Sequence, residues 1–389
     1  MDQPQYNTLM DALQQVPDPR KARGKQYPWS LLLALACGAL VSGQKTAHAI
    51  AHWVVLHATE LREHLRPPRD RLPSESTLRR MLRAIDVQVL EQQLTGYAER
   101  LAAETSKTGI ITSPTGEELQ GQAIDGKEVR GVRAHGQPLC LVSLTGHGSG
   151  IVLAQTAVDQ KSNEITAVPR LLAGRDLQGI VITVDALLCQ RNLAQQIVQQ
   201  RGHYLMVVKE NQPELYKAIA LFFEQPPWLR HERALEYQVH RTCNKGHGRW
   251  ETRLLESSTT LCRYLDWPGV GQVLRRQCKR VIRKTGQVSL ETTYGITSLP
   301  PAQAGAAQLE ALWRGHWTIE NTLHYVRDVT MGEDAGQMHT GHAPQALAAL
   351  RNGIISLLRW KGWTNIADAL RYYGASVQRA LELIGAAPT

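Results

Sequence analysis

Apolar and polar positions follow two rhythms along this chain, helical at both ends and period-two through the middle. From about Tyr6 to Ala103 the pattern is helical throughout. Trp29 to Gly43 and Thr46 to Leu65 have helical length and apolar content, and the basic, turn-rich PDPRKARGKQYP leads into them. A Pro-rich turn then precedes LPSESTLRRMLRAID, where Ser74 or Ser76 is a candidate N-cap and Leu78, Met81, Leu82 and Ile85 form a buried set. The same helix carries Thr77, Arg79, Arg80 and Arg83. A DNA-reading helix-turn-helix has this pattern, and so does a solvated amphipathic helix.

From Gly121 the rhythm changes. Apolar, β-rich runs at Ala123–Val129, Leu139–Leu144 and Ile151–Val158 predict a meander. A helix at Asn163–Leu172, a strand at Gly179–Asp185, a helix at Arg191–Gln200 and a strand at Tyr204–Val208 follow. Three strands and then helix, strand, helix, strand is the order of a ribonuclease H-like core. NQPELYKAIALFFEQPP continues as helix; EYQVHRT, RWETRLLESS, GQVLRRQCKRVIR and SLETTYGITSL read as strands, and helix resumes at Ala306 with breaks near Gly332 to His342 and at Gly362. The expected class is α+β. A helical N-terminal domain spans 1–103, a mixed-sheet core begins over 121–225, an all-β insertion occupies 226–301, and 302–389 completes the core and adds C-terminal helices. No internal repeat or low-complexity tract interrupts this order.

Composition narrows the classes. With 43% hydrophobic and 20% charged positions in 389 residues, the chain has a globular make-up with room for two or three domains. Its six cysteines are scattered without a CxxC pair, against a zinc ribbon or disulfide scaffold and in keeping with a reducing cytoplasm. Trp29 to Val41, the most apolar stretch, is shorter than the roughly 20 residues a membrane span needs, so it reads as a buried helix. The net charge of +9 favours a polyanionic partner. Between Pro226 and Leu290 stand 13 Lys or Arg against 5 Asp or Glu, so 13 − 5 gives a local +8 that nearly equals the total. Arg241, Lys245, His247, Arg249 and Arg253 lie in that segment and are candidates to track phosphates.

Three separated carboxylates stand out: Asp125 in AIDGKEVRG, Asp185 in VITVDALLCQ and Glu320 in WRGHWTIENTLHYVRD. Two sit on predicted strands and one on a predicted helix. Acids converging on divalent metal are what phosphodiester chemistry requires. An isolated Asp after an apolar strand is more often a turn former or N-cap; it is the set of three in this order that points to a site. Set at 100° per residue, Leu312 to Arg327 puts Leu312, Ile319, Leu323 and Val326 on an apolar face and Trp313, His316, Glu320, His324 and Arg327 on a neighbouring stripe. His316, Glu320 and His324 also have a spacing zinc could use. HExxH is absent, however, and a carboxylate shell suits a hard cation, Mg²⁺ or Mn²⁺, with the histidines as phosphate or water contacts.

IDGK, TVDA, YLMVVKENQ, HGRWETR and HWTIENTLHYVRDVTMGEDA, in this order, resemble the DDE transposases of bacterial insertion sequences, most closely the group of the H-repeat-associated proteins. VPDPRKARGKQYP and LPSESTLRR extend the resemblance over nearly the whole chain. It implies a metal-binding catalytic triad of Asp125, Asp185 and Glu320 on a ribonuclease H-like core. It further implies cleavage of the element's own ends, strand transfer into target DNA, and a homodimer assembled on DNA. Where many relatives carry Tyr, Arg, Glu and a basic residue, this chain has Trp313, His316, Glu320 and Arg327. Candidate DNA contacts are Lys127, Lys209, Arg249, Arg253, His316, His324 and Arg327, with Arg79, Arg80 and Arg83 of the N-terminal helix. No membrane and no small-molecule cofactor are expected, and the location expected is cytoplasmic, on the nucleoid when DNA is bound. A nuclease without strand transfer and a non-catalytic DNA-binding protein are the alternatives.

Overall fold

The computed structural model describes residues 6–105, 109–134, 137–159, 162–224, 237–246, 248–336 and 340–386. Its strands are β1 (Ile110–Thr112), β2 (Glu118–Ala134), β3 (Gln137–Gly146), β4 (Val152–Ala157), β5 (Ile180–Val184), β6 (His203–Val208), β7 (Tyr237–Gly246), β8 (Arg249–Ser258), β9 (Gln272–Ile282) and β10 (Val288–Thr297). Every expected strand forms, and RWETRLLESS is β8 to the residue. The short β1 carried no readable alternation. β2 runs well beyond Ala123–Val129 because pairing continues through its polar flanks, as at Glu118↔Thr112 and Gln120↔Ile180.

Two compact units interleave along the sequence. One comprises Met1–Ser106, Gly126–Ala167 and Ile319–Thr389; the other comprises Lys107–Asp125 and Val168–Thr318. In the first, β2, β3 and β4 are neighbours in that order, and β3 pairs antiparallel with β4. Helix Val87–Glu104 packs on β4 and on helix Ala343–Trp360. Trp29–Val41 is buried almost all round, as expected of an apolar helix inside a core, and it packs against Val377–Ile384. Among the described residues no helix is long and apolar enough to cross a membrane.

In the second unit the order is β1, β2, β5, β6, β10, β9, β8, β7. β2, β5 and β6 run parallel, and the rest is antiparallel. The basic β-rich segment is therefore no separate body: β10 zips onto β6 through Tyr294↔Val208 to Thr297↔Leu205 and carries the core sheet onward. Helix Ala306–His316 covers this sheet, burying Leu309, Leu312 and Trp313 against Leu205, Leu255 and Leu274. Gly295 is required there, because a Cβ on it would meet the Trp313 ring at 2.7 Å. Trp313 thus leaves the polar stripe expected of it and serves the core.

Candidate metal centre and nucleic-acid contacts

Parallel pairing of β2 with β5 sets the geometry of two of the acids. The register runs from Gln120↔Ile180 to Ile124↔Val184, so Asp125 and Asp185 each follow directly on the last paired position. Neighbouring strands lie about 5 Å apart, which brings the two backbones within reach of a shared cation. Both carboxylates are half-buried. The Leu188 amide donates to Asp185 Oδ1 at 3.2 Å, so Asp185 also fills the turn-forming role common after a strand. Lys209 follows β6 and is exposed beside a cleft of about 430 Å³ that Ala186, Leu187, Asn211 and Tyr216 also line.

His316 ends the helix over this sheet. The Thr183 hydroxyl donates to Gln122 O at 3.3 Å, leaving its oxygen to accept from His316 Nδ1 at 3.2 Å. Burial pushes the pKa of this ring below the ordinary value, against the pull of the Asp185 charge. His316 is thus a neutral tether between helix and strand at neutral pH, not a cation offered to phosphate. Arg249 is exposed, with Nε 2.6 Å from Glu251 Oε1, whereas Arg253 is held between Glu251 and Asn244. Arg276 forks onto Glu310 at 2.8 and 3.0 Å, and Arg280 pairs with Glu291. Acids from outside the basic segment therefore take up part of its +8. Arg241 and Lys245 are exposed, and His247 lies outside the described residues.

In the first unit the helical run after Thr318 widens into π turns over Glu320–His324 and Val326–Thr330. Tyr325 N–H bonds Glu320 O, and Met331 N–H bonds Val326 O at 2.9 Å, each five residues back. Such turns are frequent at functional sites. The apolar face forms as expected, with Ile319, Leu323 and Val326 at most 5% exposed. Glu320 projects outward, its side chain 55% exposed, and its Oε2 lies 3.3 Å from Nδ1 of the buried His324.

Arg327 departs from the expected stripe. The wider π turns rotate later residues away from the 100° phase, and Arg327 ends fully buried, hydrogen-bonded to Glu333 through Nε at 2.9 Å, with a terminal nitrogen in ion-pair contact at 2.6 Å. Arg351 reaches the other Glu333 oxygen at 3.2 Å. Burial works to raise the Glu333 pKa, but the two guanidiniums outweigh it and hold the carboxyl below its ordinary value. Lys127, 8% exposed, joins this network at 2.6 Å from Asp328 and 3.4 Å from Asp334. Neither cation is presented at the surface.

Leu78, Met81, Leu82 and Ile85 are buried as expected, and helix Glu75–Ala84 starts after Ser74, which makes no capping bond through its side chain. Arg79 pairs with Glu75 at 2.6 Å; Arg80 and Arg83 are exposed. Sequence reasoning missed Glu333 and Arg351, whose pairing only tertiary structure reveals. Asn211 and Gln212 end the YLMVVKENQ motif, and only the fold shows which carbonyls their amides reach.

An α+β fold with a mixed sheet and acids at the ends of adjacent parallel strands defines a ribonuclease H-like protein. The family described as "Transposase DDE domain" matches residues 116–357, and "DDE_Tnp_1-associated" matches residues 10–98. The chain belongs to the DDE transposase family. It is 29% identical to "Putative transposase YncI" of Escherichia coli O157:H7, over 90% of this chain and 87% of that one. It is 28% identical to "H repeat-associated putative transposase YhhI" of Escherichia coli K12, over 90% of each. An "Uncharacterized protein in dhlA 3'region" of Xanthobacter autotrophicus is 33% identical over 73% of this chain and 92% of its own length. Family membership implies use of a divalent metal and DNA as partner.

Proposed function

We propose that this transposase binds the ends of its own element, cleaves them, and joins the freed 3′-hydroxyl to target DNA, with Asp125, Asp185 and Glu320 holding Mg²⁺ or Mn²⁺. The observation that carries the reading is the Ile124↔Val184 register, which sets Asp125 and Asp185 side by side at the ends of parallel strands. The donors fit a hard cation: all three are carboxylates, and burial pushes the nearby Cys189 thiol up to about 12, so no thiolate is offered. A cation there would shield the scissile phosphate and acidify the attacking water.

The chain's own residues supply position and charge. The Leu188 amide holds one oxygen of the Asp185 carboxylate. Lys209, Arg80, Arg83, Arg241, Lys245 and Arg249 are exposed cations able to meet the DNA backbone. A dimer on paired ends and a cytoplasmic, nucleoid-associated location complete the reading. Its test is incubation of the purified protein with labelled DNA spanning the boundaries of its own gene, with Mg²⁺ or Mn²⁺, beside Asp185→Asn and Glu320→Ala. Discrete cuts at both boundaries and joined product, lost in both variants, are expected. Indiscriminate cutting without joined product would establish a nuclease instead, and tight boundary binding without cutting a DNA-binding protein.

A further inference from the structure

The YLMVVKENQ motif ends in two amides whose placement the proposed chemistry has not used. β5 and β6 are parallel neighbours paired at Val184↔Met206, so the turns that follow them emerge at the same edge of the sheet. The turn after β5 carries Asp185 and reaches helix Arg191–Gln199 through Ala186 to Gln190. It is folded on itself by Cys189 N–H to Ala186 O at 3.1 Å and by the Leu188 amide on Asp185 Oδ1. The turn after β6 is closed by Gln212 N–H to Lys209 O at 3.0 Å. From this second turn Asn211 Nδ2 donates to Ala186 O at 2.6 Å, and Gln212 Nε2 donates to Cys189 O at 2.9 Å. The two carbonyls received are the residue next to Asp185 and the far side of its turn.

We propose that Asn211 and Gln212 are positioning residues that lock the Asp185 turn in the shape that presents its carboxylate to the cation. This rests on the metal-site reading above. Amides suit the task because they orient through hydrogen bonds without bringing a positive charge that would compete with the metal for the carboxylate. Both acceptors are backbone carbonyls, so only the donors, not the identity of Ala186 or Cys189, are needed. A lysine or arginine in either place would donate equally well and neutralise the site.

The test uses the full chain with Asn211→Leu and Gln212→Met, near-isosteric changes that remove the donors and add no charge, singly and together. Manganese ion is titrated by calorimetry against wild type, each variant and Asp185→Asn, and exchange of the Leu188 amide is followed by NMR. Partners of this outer kind are typically worth about 10–100-fold in metal affinity. The expected result is about a tenfold weaker Mn²⁺ site in each single variant and faster Leu188 exchange, with the thermal transition and boundary-DNA affinity held. Wild-type Mn²⁺ affinity in the double variant would overturn the clamp while leaving the metal site standing. Equal Mn²⁺ binding by wild type and Asp185→Asn would overturn the metal-site reading and the clamp with it. A double variant with a lowered thermal transition and lowered DNA affinity would show the amides to be general scaffolding, which also overturns the clamp.

Discussion

Two sets of acids in this protein are treated in opposite ways. Glu333, Asp328 and Asp334 sit in a network with Arg327, Arg351 and Lys127, each carboxylate within 4.0 Å of a cation. Asp185 is instead oriented by the Leu188 amide, in a turn tied down by neutral amides, and Glu320 stands outward with a histidine as neighbour. A buried acid that serves the fold must be neutralised where it stands, because an uncompensated charge in the interior is costly. An acid that serves a mobile cation must be held without being neutralised. On the proposed reading Asp185 and Glu320 are held for a cation, while Glu333, Asp328 and Asp334 are neutralised for the fold.

The sharpest way to break this contrast is to remove one acid from each set. Glu333→Gln leaves Arg327 and Arg351 buried against a neutral amide, and a loss of about 3–5 kcal/mol is expected in urea unfolding. Glu320→Gln, at an exposed position, should stay within about 0.5 kcal/mol of wild type while losing cleavage. Comparable stability losses in the two variants would dissolve the distinction.

Much of the fold was legible because strands and helices in this chain keep their own periods. The runs at Ala123–Val129, Tyr204–Val208 and RWETRLLESS all became strands, whereas the adjacency of Asp125 and Asp185 rests on a parallel pairing of β2 with β5 across two intervening strands and a helix, which no local pattern specifies. Arg327 was not legible. A helical wheel assumes one constant turn, and the two π turns between Glu320 and Met331 break that assumption just where the stripe was drawn. The pairing of Lys127 and Arg253 was hidden for a different reason: charge type reads as surface in a sequence, while the acids that engage them, Asp328 and Glu251, lie on another element or two residues away. The attachment of the basic strands to the core was hidden too, since alternation predicts a strand but not its neighbour.

Titration sharpens the comparison within the first unit. Glu333 has a depressed pKa, so its contribution to stability is present above the ordinary carboxylate value near 4.5 and is lost as pH falls below it. Glu91 behaves in the opposite sense. Burial raises its pKa from 4.5 to about 7, against the hydrogen bonds it accepts from Gln155 and Gln345 at 2.8 and 2.9 Å. Its contribution is full below about pH 4.5 and is lost as pH rises through about 7. Allowing for residual exposure, the swing is about 1–2 kcal/mol. Glu91→Gln keeps an acceptor oxygen and removes the charge, so it should flatten the stability profile between pH 5 and about 8 and raise stability at the alkaline end; an unchanged slope would remove Glu91 from the account.

The smallest expected effect concerns cations that belong to neither set. Arg80 and Arg83 are exposed on helix Glu75–Ala84, whereas Arg79 on the same helix is engaged by Glu75. If the exposed pair meets phosphate, each substitution by Ala should reduce the slope of log affinity against log salt by about 1, with stability held within about 0.5 kcal/mol. Arg79→Ala should change the slope less, because its charge is already shared with a carboxylate. A helix that only solvates the surface would show the wild-type slope in all three variants, and that outcome would return the N-terminal helices to a structural role while leaving the acids of the second unit untouched.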